Sequence, residues 1–448
     1  MWISFALYSP KLSIMAGTVN WLFVDLNSYF ASVEQELVPE LRGQPIVIVP
    51  IEAENACCIA ASYQAKAYGI KTGFNLPDAK IACPHLFVVQ ARPRLYVEYH
   101  HKIIEAIERC IPVQSVMSCD EFACQLIGKE RSLLRATEIA YAIKREIRTV
   151  GTTLRCSIGL APNRLLAKIA GDMQKPDGLM IFEQRTLPQS LYSLALSDIP
   201  GIGSRIEERV RAAGITTMQE LCSLPRERMS AIWGSVWGDR LWLWLRGEDF
   251  LEPAPRPLQS LSRQHILPPA ARTRDKARGI AVKLLLSTAR KMRRHGLWAG
   301  CVGVQIGYQE GKVFEMGVRI PPSQDNFTLQ QHLLLVWERS PRLTPSDIAV
   351  ILSDLGATPQ ANFFEPDQPD EAERVTAAVD QLNLRYGLHT VYPGSIHDVR
   401  DQAPTRIPFG PPPPLEEFDD PADNERTVRA SVRRAEGIRE HYPKPKRA

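Results

Sequence analysis

Two short apolar runs in this chain end in acid: Trp21 to Val24 leads to Asp25, and Val116-Met117-Ser118-Cys119 leads to Asp120 and Glu121. If the runs are neighbouring strands, three carboxylates converge. Carboxylates that close repel one another and shift toward protonation unless a cation neutralises them, so the pattern points to a metal site. Oxygen-only ligands favour a hard ion such as Mg²⁺, which keeps waters and takes its remaining ligands from substrate phosphates. Two such ions about 4 Å apart form the clamp of in-line nucleotidyl transfer. Successive residues of a regular strand face opposite ways, so Asp120 and Glu121 can serve one site only if the backbone bends; a turn or distortion is expected at Ser118 and Cys119. An Asp-Glu pair taken alone is more often a solvated corner, and the neighbouring sequence has to decide.

That sequence offers groups suited to phosphate. In Ala60-Ala61-Ser62-Tyr63-Gln64-Ala65-Lys66 a phenol and an ammonium stand three residues apart, on one helical face. Arg164 and Lys168 stand one turn apart on the helix of Pro162-Asn163-Arg164-Leu165-Leu166-Ala167-Lys168, and Lys175-Pro176-Asp177-Gly178 follows. Further on, Pro200-Gly201-Ile202-Gly203 forms a hairpin between short helices, where amides can approach a phosphate because Gly201 and Gly203 lack Cβ. It is similar to a helix-hairpin-helix, which holds DNA backbone without reading sequence.

The elements that must position these groups alternate between strand and helix, so the first half reads as an α/β or α+β domain with antiparallel hairpins. Helices are expected over 27–37, 96–109 and 132–150, and strands over 45–49, 122–127 and 154–158. Glu252-Pro253-Ala254-Pro255-Arg256-Pro257 has the proline density of a linker. Beyond it, strands over 258–266, 300–308, 313–320 and 347–353 and helices over 273–294 and 328–338 spell β-α-β-β-α-β, the split unit of ferredoxin-like folds. From Arg256 to Arg294 the cations, among them Arg263, Arg274 and Arg278, are opposed only by Asp275. A surface so one-sided is expected to track a phosphate backbone. At 448 residues the chain is long enough for three or four domains, and its net charge of +4 is modest, so any nucleic-acid argument rests on where the charge lies. The nine cysteines, an odd number without a C-x-x-C pair, argue against a disulfide framework or a zinc site and fit a reduced cytoplasmic protein. No apolar run is long enough for a membrane span, and Pro10 and Lys11 interrupt the only leader-like stretch, which reads as an extension before Met15.

Four motifs in order, V-D-L-N-S-Y-F-A-S-V-E from Val24, A-A-S-Y-Q-A-K-A-Y-G-I-K from Ala60, S-C-D-E from Ser118 and S-I-G-L-A-P-N-R-L-L-A-K-I-A from Ser157, resemble the Y-family translesion DNA polymerases of the UmuC and DinB types. The resemblance runs from Val19 to the region of Gly394. It implies an α+β right hand: palm (18–28 and 91–183), fingers (29–90), thumb with the helix-hairpin-helix (184–252), linker (253–257) and a ferredoxin-like little finger (258–357). An extension (1–17) precedes these, and a C-terminal tail (358–448), much of it without structure, follows. By the same resemblance Asp25 and Asp120 bridge two Mg²⁺ ions, Glu121 serves the ion that activates the primer 3′-hydroxyl, and the Leu26 carbonyl is a further ligand. Asn27, Tyr29, Tyr63, Lys66 and Lys168 fall to the nucleotide, and Phe30 to the steric gate against a ribose 2′-hydroxyl. Lys66 stands where many relatives have arginine, so contact there becomes a point charge in place of a bidentate fork. Gln360-Ala361-Asn362-Phe363-Phe364 is similar to the peptide with which bacterial polymerases bind the sliding clamp, Gln360 the polar anchor and Phe363 and Phe364 the apolar ones. Primer-template DNA, deoxynucleotides, the clamp and an accessory subunit of the SOS response are the implied partners. The competing readings are a polymerase-shaped scaffold without chemistry, which would usually have lost the three carboxylates, and a two-metal nuclease, which leaves Phe30 and Tyr63 unexplained.

Overall fold

In a computed structural model the described residues are 18–50, 56–250, 257–357, 371–408 and 410–418. The chain divides into two compact units, one from the residues up to 252 with 407–413, the other from 253–406 with 414–421.

The first unit is built on β1 (Trp21–Leu26), a strand whose alternating side chains divide two cores. Leu22, Val24 and Leu26 face one core; Phe23 faces the other. After β1 come α1 (Tyr29–Leu37), β2 (Ile46–Val49), β3 (Ala60–Ala61), α2 (Tyr63–Lys66), α3 (Leu76–Ala82) and β4 (Phe87–Gln90), of which the three strands make a small sheet in the order β3-β2-β4. The chain then returns through α4 (Pro93–Glu108), β5 (Ser115–Val116), β6 (Glu121–Gln125), α5 (Leu133–Val150), β7 (Cys156–Ala161), α6 (Arg164–Met173) and β8 (Leu179–Ile181), completing a sheet in the order β5-β6-β1-β7-β8. Helices α4 and α5 supply Tyr96, Ile103, Ala136 and Ile143 to the Leu22 side, while Leu166 and Ile169 of α6 cover the Phe23 side. Strand β7 runs three residues past its expected end, to Ala161. The reason is Gly159: a Cβ there would stand 1.8 Å from the Ala167 carbonyl oxygen, so only glycine lets α6 lie this close to the sheet. Helices α7 (Ser204–Ala212), α8 (Met218–Ser223), α9 (Arg226–Trp233) and α10 (Val236–Trp244) follow, packed through Val210, Met218, Met229, Trp233 and Leu241. All nine cysteines are free thiols, and no helix among the described residues is long and apolar enough to cross a membrane.

The second unit runs β9 (Ser260–Ile266), α11 (Arg274–Arg294), β10 (Trp298–Tyr308), β11 (Val313–Ser323), α12 (Asn326–Glu338) and β12 (Pro345–Gly356). Its strand order is β11-β10-β12-β9 with every neighbouring pair antiparallel. Strand β12 thus lies between β9 and β10, and β10 between β11 and β12, which makes two interleaved split β-α-β units as the sequence predicts. The expectation of a largely unstructured tail needs revision. Helix α13 (Glu371–Tyr386) is formed, and Ile396 and Val399 enter the core beneath α11.

Candidate active site

The antiparallel register sets Asp25 of β1 directly opposite Glu121 of β6 and Ser157 of β7. By the two-residue period of β1, Asp25 shares the face of Phe23, the face that α6 covers. Between β5 and β6 the backbone bends at Ser118, Cys119 and Asp120, where the sequence requires it. Ser118 holds the bend, its hydroxyl donating to Asp120 Oδ1 at 2.6 Å and accepting from the Asp120 amide at 3.3 Å. His100 of α4 pairs with the Cys119 carbonyl at 2.7 Å, and the Leu26 amide donates to the Asp120 carbonyl at 2.9 Å. Three acidic residues therefore arrive at one end of the sheet.

Their side chains do not yet converge on a common point: among the described residues no three His, Cys, Asp or Glu side chains form a ready metal cluster. Each is turned instead to a nearby donor. Lys168 of α6 pairs with Glu121. Lys175 Nζ lies 2.8 Å from Asp25 and 2.7 Å from Asp172. Burial pushes the Asp25 carboxyl up to about 7, with Lys175 pulling against it and Asp120 adding to the rise. Carboxylates met by ammonium groups, one of them, Asp25, driven toward protonation by burial, are those a hard divalent cation would take over, so the donor set fits such ions.

Ser62 caps α2, accepting from the Ala65 amide, and this short helix brings Tyr63 and Lys66 within electrostatic reach of Asp25 and Lys175. The Lys66 ammonium lies 4.5 Å from the centroid of the Tyr63 ring. Burial and the neighbouring Lys175 pull its pKa down, against Asp25. Between β1 and α1 the chain turns through Ser28, whose φ of 48° is left-handed. That conformation costs a non-glycine residue about 1 kcal/mol and lets Asp25 and Phe30 arise from one sharp reversal.

The turn also separates residues that the sequence groups together. Asn27 is buried, its amide donating to Ser157 Oγ at 3.1 Å and its carbonyl oxygen accepting from the Asp177 amide at 2.8 Å. The side chains of Leu26 and Tyr29 are buried too, which leaves the Leu26 backbone as its only means of contact with a ligand. The Tyr29 hydroxyl donates to the Tyr96 carbonyl at 2.6 Å. Of the first turn of α1, Phe30 alone stays half-buried, stacked on Tyr96 with ring centroids 4.4 Å apart. Sequence reading missed Lys175, although Lys-Pro-Asp-Gly was visible after an anion-suited helix, and it missed the link of Glu34 to Arg92 and Tyr96, which stand 58 and 62 residues away.

Gly201, at φ 93°, and Gly203 are both exposed at the entrance to α7. A Cβ at Gly201 would come within 2.6 Å of the Trp237 ring, so that indole forms the floor of the hairpin. The basic face of α11 differs from expectation. Arg263 of β9 pairs with Glu417 at 2.6 Å, and Arg274 closes the end of α12 by donating to the Trp337 carbonyl at 3.0 Å. Arg278 remains exposed. The cause is the C-terminal segment, whose Asp380 and Glu417 supply the anions that the first half of this unit lacks. Gln360, Phe363 and Phe364 lie outside the described residues.

Residues 24–172 match the impB/mucB/samB family, 197–249 the thumb domain described for DNA polymerase-iota, and 258–363 the impB/mucB/samB family C-terminal domain. DNA polymerase IV of Moorella thermoacetica is 32% identical over 392 residues, spanning 85% of this chain and 96% of that protein. DNA polymerase IV 1 of Bacillus subtilis is 26% identical over 395 residues, 85% of this chain and 94% of its own. Among solved structures, a Y-family polymerase chimera of Dbh and Dpo4 superposes with a TM-score of 0.60 at 25% identity, covering 75% of this chain and 98% of the chimera. An insertion ternary complex of Dbh DNA polymerase gives 0.54 at 25% identity, covering 74% and 98%.

Proposed function

The chain belongs to the Y family of translesion DNA polymerases, DinB type, and from that membership we propose which of its residues carry the reaction. It is a DNA-directed DNA polymerase that copies past damaged bases, and the family uses divalent metal in catalysis. We assign Asp25 and Asp120 as the residues that would hold two Mg²⁺ ions, with Glu121 serving the one that would activate the primer 3′-hydroxyl and the Leu26 carbonyl as a further donor. When bound, such ions neutralise the triphosphate and activate the attacking hydroxyl. The chain's own residues do the rest. Lys168 and Lys175, which pair with Glu121 and Asp25, would be the cations next to those carboxylates that could meet an incoming phosphate. Tyr63 and Lys66 grip the triphosphate from the fingers side, and the Phe30 ring takes the space a 2′-hydroxyl would need. Gly201 and Gly203 offer backbone amides to a DNA phosphate.

The observation that carries this reading is the pairing of Asp25 against Glu121 with Asp120 at the adjoining bend, each carboxylate already held by an ammonium or a hydroxyl. Asp120→Asn tests it. Losing a bridging charge forfeits several kcal/mol of transition-state stabilisation, so primer extension should drop by about a thousandfold or more while primer-template binding survives. Full-rate extension by pure Asp120→Asn would remove the assignment. We propose primer-template DNA and deoxynucleotides as substrates, in keeping with the ternary complex described for Dbh. The sliding clamp, reached through Gln360, Phe363 and Phe364, an SOS accessory subunit and a cytoplasmic setting belong to the same proposal.

A further inference from the structure

Phe30 does not stand alone. One face of its ring lies on Tyr96, with 16° between the planes, and the Tyr96 side chain is fully buried. The Tyr96 hydroxyl donates to Glu34 Oε1 at 2.7 Å. The same carboxylate accepts from Arg92 Nε at 2.9 Å and from Arg92 Nη2, a two-pronged ion pair whose side chains are 5% and 1% exposed. Tyr29 adds a second tie by donating to the Tyr96 carbonyl. The first turn of α1 is thereby fastened to α4 through both of its aromatic rings, and the start of α4 is fastened back to α1 through Arg92 and Glu34.

A buried ion pair adds little net stability compared with well-packed apolar residues of the same size, because desolvating two charges costs about as much as their attraction returns. What it does supply is orientation: a planar guanidinium fork on a carboxylate admits one arrangement, and the carboxylate in turn fixes the phenol. We infer that the buried Glu34–Arg92 pair, acting through Tyr96, is a positioning device that sets how far the Phe30 ring projects into the sugar site and so contributes to the choice of deoxyribose. This rests on the reading of Phe30 as the gate. A hydroxyl adds little more than one heavy atom to the sugar, so a ring that retreats by about 1 Å ceases to exclude it.

The test compares kcat/KM for a deoxynucleotide and the matching ribonucleotide in primer extension, using the full chain with Mg²⁺. Phe30→Ala is the control for the gate itself and should reduce discrimination by about a hundredfold. Arg92→Lys keeps the charge and loses the fork; it should reduce discrimination about tenfold, through faster ribonucleotide insertion, with deoxynucleotide kcat/KM changed by less than about threefold. Tyr96→Phe keeps the stacked ring, loses only the hydroxyl tie, and should shift discrimination in the same direction by a smaller factor. In the Phe30→Ala background Arg92→Lys should change discrimination no further, whereas general damage to the fold would lower both efficiencies. If Phe30→Ala loses discrimination while Arg92→Lys and Tyr96→Phe keep the wild-type ratio, the positioning role is wrong and the gate stands. If Phe30→Ala keeps the wild-type ratio, the gate reading fails and this inference with it. Should Arg92→Lys not fold, Tyr96→Phe decides alone.

Discussion

At the scale of single residues, the charge on Lys66 depends on its surroundings. Burial and the nearby Lys175 lower its pKa from 10.5, so the free enzyme loses this charge at a lower pH than an exposed lysine would. As pH rises through the lowered pKa, the ammonium becomes neutral and its attraction for a triphosphate disappears. An arginine stays charged throughout. Lys66→Arg should therefore flatten the alkaline fall in kcat/KM and, through the bidentate fork that lysine lacks, lower the KM for deoxynucleotide severalfold at neutral pH; a profile that superposes on the wild type would show that Lys66 does not touch phosphate. Tyr63 with Lys66, and Arg164 with Lys168, were legible as pairs on one helical face, and the acids as the ends of two apolar runs, which do pair as neighbouring strands. Glu34, Arg92 and Tyr96 were not. Their association depends on α1 and α4 meeting, and Arg92 and Glu34 are 58 residues apart. Asn27 was legible as a position but not as a role, since only the register of β1 on β7 brings it to Ser157.

At the scale of elements, the site depends on how closely α6 lies against β7. Gly159 pairs with Phe23 in register and has the Ala167 carbonyl and the Gly171 amide where a Cβ would go, at 1.8 and 2.5 Å. Contact of that kind is with helix backbone, which cannot rotate away, so Gly159→Ala has to push the whole of α6 outward. Overpacking of this sort typically costs about 1–3 kcal/mol, and here the upper end applies. Since Lys168 rides on α6 and pairs with Glu121, the same displacement should depress kcat at temperatures where the variant is still folded. Calorimetry and steady-state extension on Gly159→Ala measure both; an unchanged midpoint would mean the helix can retreat without strain. The sequence showed the strand and the helix but ended the strand too early, because Gly159-Leu160-Ala161 reads as a loop until the partner that needs the glycine is known. The bend at Ser118, by contrast, followed from strand alternation alone.

At the scale of the whole molecule, the second unit explains why a strongly basic stretch need not be a nucleic-acid surface. From Arg256 to Arg294 the cations are opposed in sequence only by Asp275, and the opposing charge is supplied more than a hundred residues away from some of them. Arg293 takes Asp380 at 2.7 Å, and Arg263 and Arg294 share the buried carboxylate of Glu417 at 2.6 and 2.9 Å. Lys283, itself buried, donates to the carbonyls of Arg400 and Gln402. On the apolar side, Val399 lies where a Cβ on Gly279 would come within 2.9 Å of it, so α11 and this segment are in direct contact. Residues 371–406 and 414–418 thus complete the second unit, although the family match ends at 363. Composition could not reveal this, because a segment rich in proline and charge reads the same whether it is solvated or docked through ion pairs. The consequence is measurable at one residue. Removing a buried carboxylate strands the cations it satisfied; with Arg263 and Arg294 22% and 32% exposed, water relieves part of that penalty, and Glu417→Ala should cost the second unit about 3 kcal/mol. Because Glu417 belongs to the second unit, the loss should appear as an earlier unfolding transition of that unit in the intact chain, while the first unit's transition keeps its midpoint. A Glu417→Ala chain whose two transitions both match the wild type would show that 371–406 and 414–418 are passengers on the second unit and not part of it.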